Sequence, residues 1–320
     1  SVRHRSWNLE ATILLLLGIA CLYSYNILHE LGVIGETIIL VVFLSGLMGI
    51  TRIEIPQTLP KYLYPVFSGF ASMFMDSFLV LLMVSKLNIE GTEEEQLKFK
   101  AYNMIAALIG GVGTYFGEVY LLPLALQYQN GNQWYTMLPI LPPILLFLGI
   151  LSYLTHKNNV QITPTASGRS FTNGDIAEFV VFILLLFVLH NPILLLGLLL
   201  IYAYITGQGV DLIEVIKTEA EASVLMLLFA ALLMGEHLMP FIMQFTGWWA
   251  FIPASINAVV TGVLYPANNQ FWYETLILTT AVLLTPLSSL VGVMVFKNIK
   301  DWIGYMKLSI PLMVVWFVIA

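Results

Sequence analysis

The chain has 320 residues, of which 59% are hydrophobic and only 10% charged, whereas a soluble domain carries about 25% charged side chains. So few charges cannot solvate the outside of a protein this size, and with a mean hydropathy of +0.87 most of its surface must face lipid. A formal charge of -6 leaves no basic footprint for nucleic acid, and the one cysteine, Cys21, excludes an internal disulfide or a thiolate metal cluster.

The apolar runs are continuous and about twenty residues long, which predicts spanning helices rather than the alternating strands of a membrane barrel. They fall at roughly 9–28, 33–50, 63–85, 101–128, 134–155, 177–205, 224–246, 249–268, 274–296 and 302–320. The first follows Arg3 and Arg5 and is too long for a signal-peptide core. Because the sequence opens on Ser1, a further segment is expected to precede it. The 177–205 run is interrupted at His190-Asn191-Pro192. Proline there removes a backbone donor, so two short arms are predicted, with His190 as a bend residue. GQGVDLIEVIKTEAE (207–221) reads as an amphipathic interfacial helix. The polar linker 156–176 divides the chain near its middle. Trp7, Trp134, Trp248, Trp249, Trp272 and Trp302 read as interface anchors.

Positive charge sets the topology, because Lys and Arg concentrate in cytoplasmic loops. With Arg3 and Arg5 inside, the loops 51–62 (Arg52, Lys61), 86–100 (Lys86, Lys98, Lys100) and 156–176 (Lys157, Arg169) all belong inside. That requires 63–85 to enter and leave on one side, as a re-entrant hairpin. In the second half, Lys217 inside and Lys297 with Lys300 inside require 249–268 to be re-entrant from the outside. All 13 basic residues then lie on the cytoplasmic side, counting Lys307 in the inner third of the last helix.

The predicted fold is therefore an all-α polytopic membrane protein built as an inverted repeat. Each half carries a re-entrant hairpin and an interrupted transmembrane helix. The first repeat occupies 1–155 (hairpin 63–85, broken helix 101–128) and the second 177–320 (hairpin 249–268, broken helix 274–296), joined by the cytoplasmic linker 156–176. In secondary transporters such discontinuous elements meet near the midplane and bind substrate or coupling ions. Local sequence agrees with the repeat. Ala71-Ser72 in one hairpin answers Ala254-Ser255 in the other, and Thr114 aligns with Thr285. Gly110, Gly111, Gly113 and Gly117 in one helix, and Pro286 amid Thr and Ser in the other, are where a helix would unwind. Unwound backbone at that depth must be buried in protein or line a cavity.

A hairpin with small polar residues followed by a Gly/Thr/Pro-broken helix, twice in opposite senses, resembles the ion transporter superfamily. That group includes arsenite permeases, sodium/proton antiporters, and citrate and dicarboxylate transporters. The resemblance runs from about residue 33 to 320. GGVGTYFGE (110–118) is similar to the broken-helix motif of the antiporter and arsenite branches. LLTPLSSLVG (283–292) keeps its Thr-Pro but lacks the paired glycines. Asp76-Ser77 and Asn257 stand where those branches carry Asp-Asn at the hairpin tip.

Charges inside a membrane are costly and mark functional sites by default. Asp76 and Glu118 lie in the two discontinuous elements of one repeat, without a basic residue at midplane depth. They are the expected shared cation/proton site, with Asn257 completing the place for a sodium ion. Burial raises a carboxyl pKa and a bound cation lowers it, so proton and cation compete for the same oxygens. Ser72, Ser77, Thr114, Ser255, Asn257, Thr261, Thr285, Ser288 and Ser289 supply the polar lining. Glu236 and His237 read either as a proton relay or as a structural pair.

The expected function is a cation/proton (sodium/proton-type) antiporter working by alternating access, with no cofactor beyond sodium. The alternatives are a sodium-coupled carboxylate or other anion symporter, and a transporter fold kept as a non-transporting scaffold. A channel would need continuous polar faces. An enzyme is not expected, since neither His-Glu-x-x-His nor Gly-x-Ser-x-Gly is present. The expected partners are a small inorganic ion or carboxylate, the bilayer and a second copy in a homodimer, with no nucleic acid. The expected location is a prokaryotic inner (plasma) membrane, N-terminus cytoplasmic.

Overall fold

A computed structural model describes residues 39, 42–43, 46–47, 50–51, 59–74, 77–85, 87–114, 138–163, 173–189, 191–208, 244–256, 271–288, 295–296 and 299–320. The described part is mostly helical. Two helices are long and apolar enough to cross a membrane, Leu138–Lys157 with 20 residues and Ile299–Ile319 with 21. Contacts divide the chain into two units, Ser1–Ile53 with Ser170–Leu227, and Glu54–Arg169 with Leu228–Ala320. Each unit takes residues from both halves of the chain.

In the second of these units the chain rises through a 3-10 turn, Lys61–Leu63, into α1, Tyr64–Ser72. After a turn at Met73 and Phe74 it continues as α2, Ser77–Ser85. A three-residue strand, β1 (Asn88–Glu90), precedes α3, Glu93–Gly111. Then come α4 (Leu141–Lys157) and β2, Gln161–Thr163. The β1–β2 ribbon is antiparallel, with Ile89 opposite Ile162. It departs from the all-α expectation. Each strand is too short for a period-2 pattern to show in sequence, and the pairing joins residues far apart in the chain.

α3 starts well before the apolar run that announced it. Thr92 and Glu95 form a reciprocal capping box, so the polar stretch EEEQLK is already helical. Hydrogen bonds from the Thr92 backbone and side chain hold the exposed Glu95 carboxyl below its usual range. The Lys98 ammonium is held up by its hydrogen bond to Glu94, one turn back at 2.6 Å. These are surface interactions and set the start of the helix more than its stability.

One end of this unit gathers the polar segments. The Lys61 ammonium donates to the Asn158 carbonyl, and the Asn158 side-chain amide donates to the Glu95 carbonyl at 2.8 Å. The Asn88 side chain donates to Thr163 at 2.7 Å across the ribbon. The residue that begins the α1–α2 excursion and the residue that ends it therefore bind the same stretch, 158–163. With 9 residues each, α1 and α2 rise about 14 Å, about half of a bilayer core of roughly 30 Å. Cysteines at 89 and 162, placed in a Cys21→Ser background, are expected to join on oxidation, because opposed Cβ atoms lie within disulfide reach. A membrane-impermeant maleimide should label both from one side. Labelling from opposite sides would refute the pairing.

The other unit contains α5, Asn173–Leu189, and α6, Pro192–Thr206. The break between them falls at Asn191-Pro192, where proline begins α6. The Asn191 side-chain oxygen accepts from the backbone of Ile193 and Leu194, both at 3.1 Å. Gly207, with φ 74, terminates α6 in the left-handed conformation that glycine adopts without strain. Phe182 packs against Tyr202 and Phe43, so the two arms lie side by side. His190 lies outside the described residues, as do the 9–28 run and the 207–221 amphipathic stretch beyond Gln208.

The remaining elements belong to the unit of Glu54–Arg169 with Leu228–Ala320. A 3-10 turn, Gly247–Ala250, leads into α7, Phe251–Ile256. Then follow α8 (Phe271–Val282), a 3-10 turn at Pro286–Ser288, and α9, Ile299–Ile319.

Candidate functional site

α1 and α3 run side by side in the same direction. Tyr64 stacks edge-on against Phe99 with ring centroids 5.8 Å apart. One turn on, the Ser68 hydroxyl donates to the Asn103 side chain at 2.9 Å; a further turn on, Ser72 donates to the Ala107 carbonyl at 2.6 Å. Ser68, Ser72 and Asn103 are wholly buried. Small residues permit this approach. A Cβ built on Gly110 would lie 2.1 Å from the Gly69 carbonyl oxygen, so the two backbones touch.

α7 and α8 also start together and end together. Trp248 meets Tyr273 edge-on at 5.1 Å, and further along, the Thr285 hydroxyl donates to the Ser255 carbonyl at 2.6 Å. α9 orders the two pairs. Near its start, Gly304 lies against Leu97 at the beginning of α3. Farther along, Ser309 donates to the Leu284 carbonyl at 3.3 Å, Trp316 to Thr279 at 3.4 Å, and Phe317 packs on Trp248 at 5.2 Å. So α3 begins at one end of α9, and α7 with α8 begins at the other.

Both long elements stop in the same way. After α3, the Val112 N–H donates to Ile109 at 3.3 Å and the Gly113 N–H to Gly110 at 2.9 Å. After α8, Leu283 donates to Thr280 at 3.3 Å and Leu284 to Ala281 at 3.1 Å. These i to i−3 bonds tighten the last turn and end the helix. In each case the next residue is a threonine whose hydroxyl donates to the hairpin element alongside: Thr114 to the Met73 carbonyl, Thr285 to that of Ser255. Ser72 and Ser255 each bond back three residues, to Gly69 at 3.0 Å and Ile252 at 2.8 Å.

The two copies differ in how the break is filled. The first relies on glycine: a Cβ on Gly113 would sit 3.0 Å from the Met73 sulfur. In the second, Pro286 has no N–H to continue the helix. The Ser288 hydroxyl instead lies 2.6 Å from the Val282 carbonyl, whose helical donor Pro286 removes, and 2.7 Å from the Thr285 carbonyl, and shares its one proton between them. Replacing Thr285 by Val should leave the Ser255 carbonyl unserved and cost about 1–3 kcal/mol. A lowered thermal midpoint in detergent, restored by Thr285→Ser, is the expected result. Unchanged melting of the Val variant would show that the bond does not support the fold.

Of the residues expected to form the site, the structure places Ser77 buried at the start of α2, and Thr114, Ser255, Thr285 and Ser288 at the two breaks. Thr285 and Ser255 are brought together; Thr114 meets Met73. Asp76, Glu118, Asn257, Thr261, Ser289, Glu236 and His237 lie outside the described residues, and so does the sodium place formed by Asp76, Glu118 and Asn257. Sequence reasoning passed over the Ser68–Asn103 pair. Its signal was a small polar stripe, Ser68 and Ser72, one helical turn apart. It also passed over Glu274, which is only 1% exposed in the first turn of α8 and stood at the edge of an apolar run.

No protein-family model matches the chain, and no curated protein matches it in sequence.

Proposed function

We propose that this chain is a polytopic inner-membrane secondary transporter, built as an inverted repeat, that exchanges a small cation for protons by alternating access. The observation that carries the reading is the paired break. Two helices that begin at opposite ends of α9 each end in a tightened turn followed by a threonine bound to a hairpin carbonyl. Discontinuous elements of opposite sense are the form in which transporters place ion sites at mid-depth. The α1–α2 excursion, of half-bilayer reach and with both ends bound to 158–163, supports the re-entrant hairpin. The sequence supports a cation, since the topology read from its charges assigns no Lys or Arg to midplane depth and assigns Asp76 and Glu118 to it.

The test is flux into proteoliposomes. Purified protein under an imposed pH gradient should move sodium or another small monovalent cation and dissipate the gradient with it. Protein that leaves both gradient and cation untouched would favour the scaffold reading. One feature favours the carboxylate symporter as the second reading: α2 begins inside the hairpin, so a helix N-terminus, which attracts negative charge, faces its turn. Uptake of a dicarboxylate driven by sodium, without proton exchange, would select it.

A further inference from the structure

Lys307 stands in the middle of an apolar stripe. On α9 the exposed residues Ile303, Ile310, Val314 and Val318 are 52%, 41%, 53% and 78% accessible, and Lys307 is exposed among them. At 100° per residue these positions form one face. Lys300, also exposed, begins the same face two turns before Lys307. A lysine on a face this apolar is costly in hydrocarbon unless its ammonium reaches the polar interface. Lys307 lies five residues beyond Trp302, about 7.5 Å of helix rise. A lysine stem leans back toward the helix N-terminus and can cover most of that distance, and Lys300 stands two residues before Trp302.

We infer that Lys300 and Lys307 clamp the phosphate of an anionic phospholipid, whose acyl chains lie along Ile303, Ile310 and Val314. Charge complementarity names the occupant. Two exposed lysines, two turns apart, stand on a face that is otherwise apolar. Neither forms an ion pair among the described residues. The acid on the same helix, Asp301, stands about 120° round from Lys307. On α3, which packs there through Leu97 against Gly304, Glu93 and Glu94 stand about a turn before Leu97 and Lys100 a turn after it, and Glu94 is paired with Lys98 at 2.6 Å. The inference rests on the reading that α9 spans a bilayer, and on nothing about the transported ion.

The experiment uses the full chain in mixed phosphatidylglycerol and phosphatidylcholine bicelles, with retained lipid counted by native mass spectrometry. Wild type should retain phosphatidylglycerol preferentially. K307L and K300Q should each lower that preference about fivefold, the usual worth of one basic side chain at an anionic surface. K307R should keep it. K307L places a leucine on a lipid-facing position, so its melting in phosphatidylcholine should match wild type. Equal retention of both lipids by wild type overturns the inference, as does a K307L protein with undiminished preference. Soluble glycerol phosphate competing as well as the lipid, or crosslinking of Lys307 to a carboxylate of a second copy, overturns it too. Wild type that fails to float with vesicles would instead remove the spanning reading, and the inference with it.

Discussion

Reconstituted Asp76→Asn protein is expected to lose pH-driven cation exchange to the level of protein-free vesicles while folding normally. Asp76 directly precedes Ser77, the first residue of α2, where helix caps stand, and it lies between two helices that each reach about half a bilayer. A capping role and a transport role make different demands on that side chain. Asparagine caps a helix as well as aspartate does, but it neither binds a proton nor carries the charge that holds a cation. The substitution therefore separates the roles. In the proposed site a carboxylate costs several kcal/mol unless it is protonated, cation-bound or hydrogen-bonded, which is the competition that antiport requires. Glu118→Gln should abolish exchange likewise or move its pH optimum. Both variants exchanging like wild type, with Asp76→Ala alone losing stability, would make Asp76 a cap and end the cation-site proposal.

Gly110→Ala is expected to be the most damaging single methyl in the described structure. The added Cβ would meet three backbone atoms of Gly69, at 2.1, 2.4 and 2.5 Å. Backbone cannot swing aside as a side-chain end can, so α1 and α3 would have to part. That separation would break the Ser68–Asn103 and Ser72–Ala107 hydrogen bonds as well. Overpacking in a core costs typically about 1–3 kcal/mol, and the upper end or more is expected here. Gly149 on α4 is the control, because a Cβ there meets nothing within 4 Å. Gly149→Ala should melt at or above the wild-type temperature, since alanine is favoured over glycine by about 1 kcal/mol within a helix. Equal melting of the Gly110 and Gly149 variants in detergent would refute the close crossing.

Those two glycines mark where sequence reasoning stops. Both sit in apolar helical runs, and nothing local distinguishes the one that touches another backbone from the one that faces open space. Gly110 belongs to a run of glycines that announced a break, and α3 does end at Gly111. The use of Gly110 as a contact surface depends on Gly69, forty-one positions earlier in the chain.

What the amino-acid order determined by itself is what short-range chemistry controls. Hydropathy over about twenty residues marked the long apolar helices, among them α4 and α9. Asn191-Pro192 set the break between α5 and α6, since proline lacks the donor and asparagine supplies a cap. The small and polar residues after Gly110 and before Pro286 marked where α3 and α8 end. Tertiary structure alone decided the partners. It gave the Met73 carbonyl to Thr114 and the Ser255 carbonyl to Thr285. It joined β1 to β2, residues more than seventy positions apart. The physical reason is that a helix period or a breaker acts within a few residues, whereas a buried carbonyl takes whichever donor the packing of distant segments brings to it.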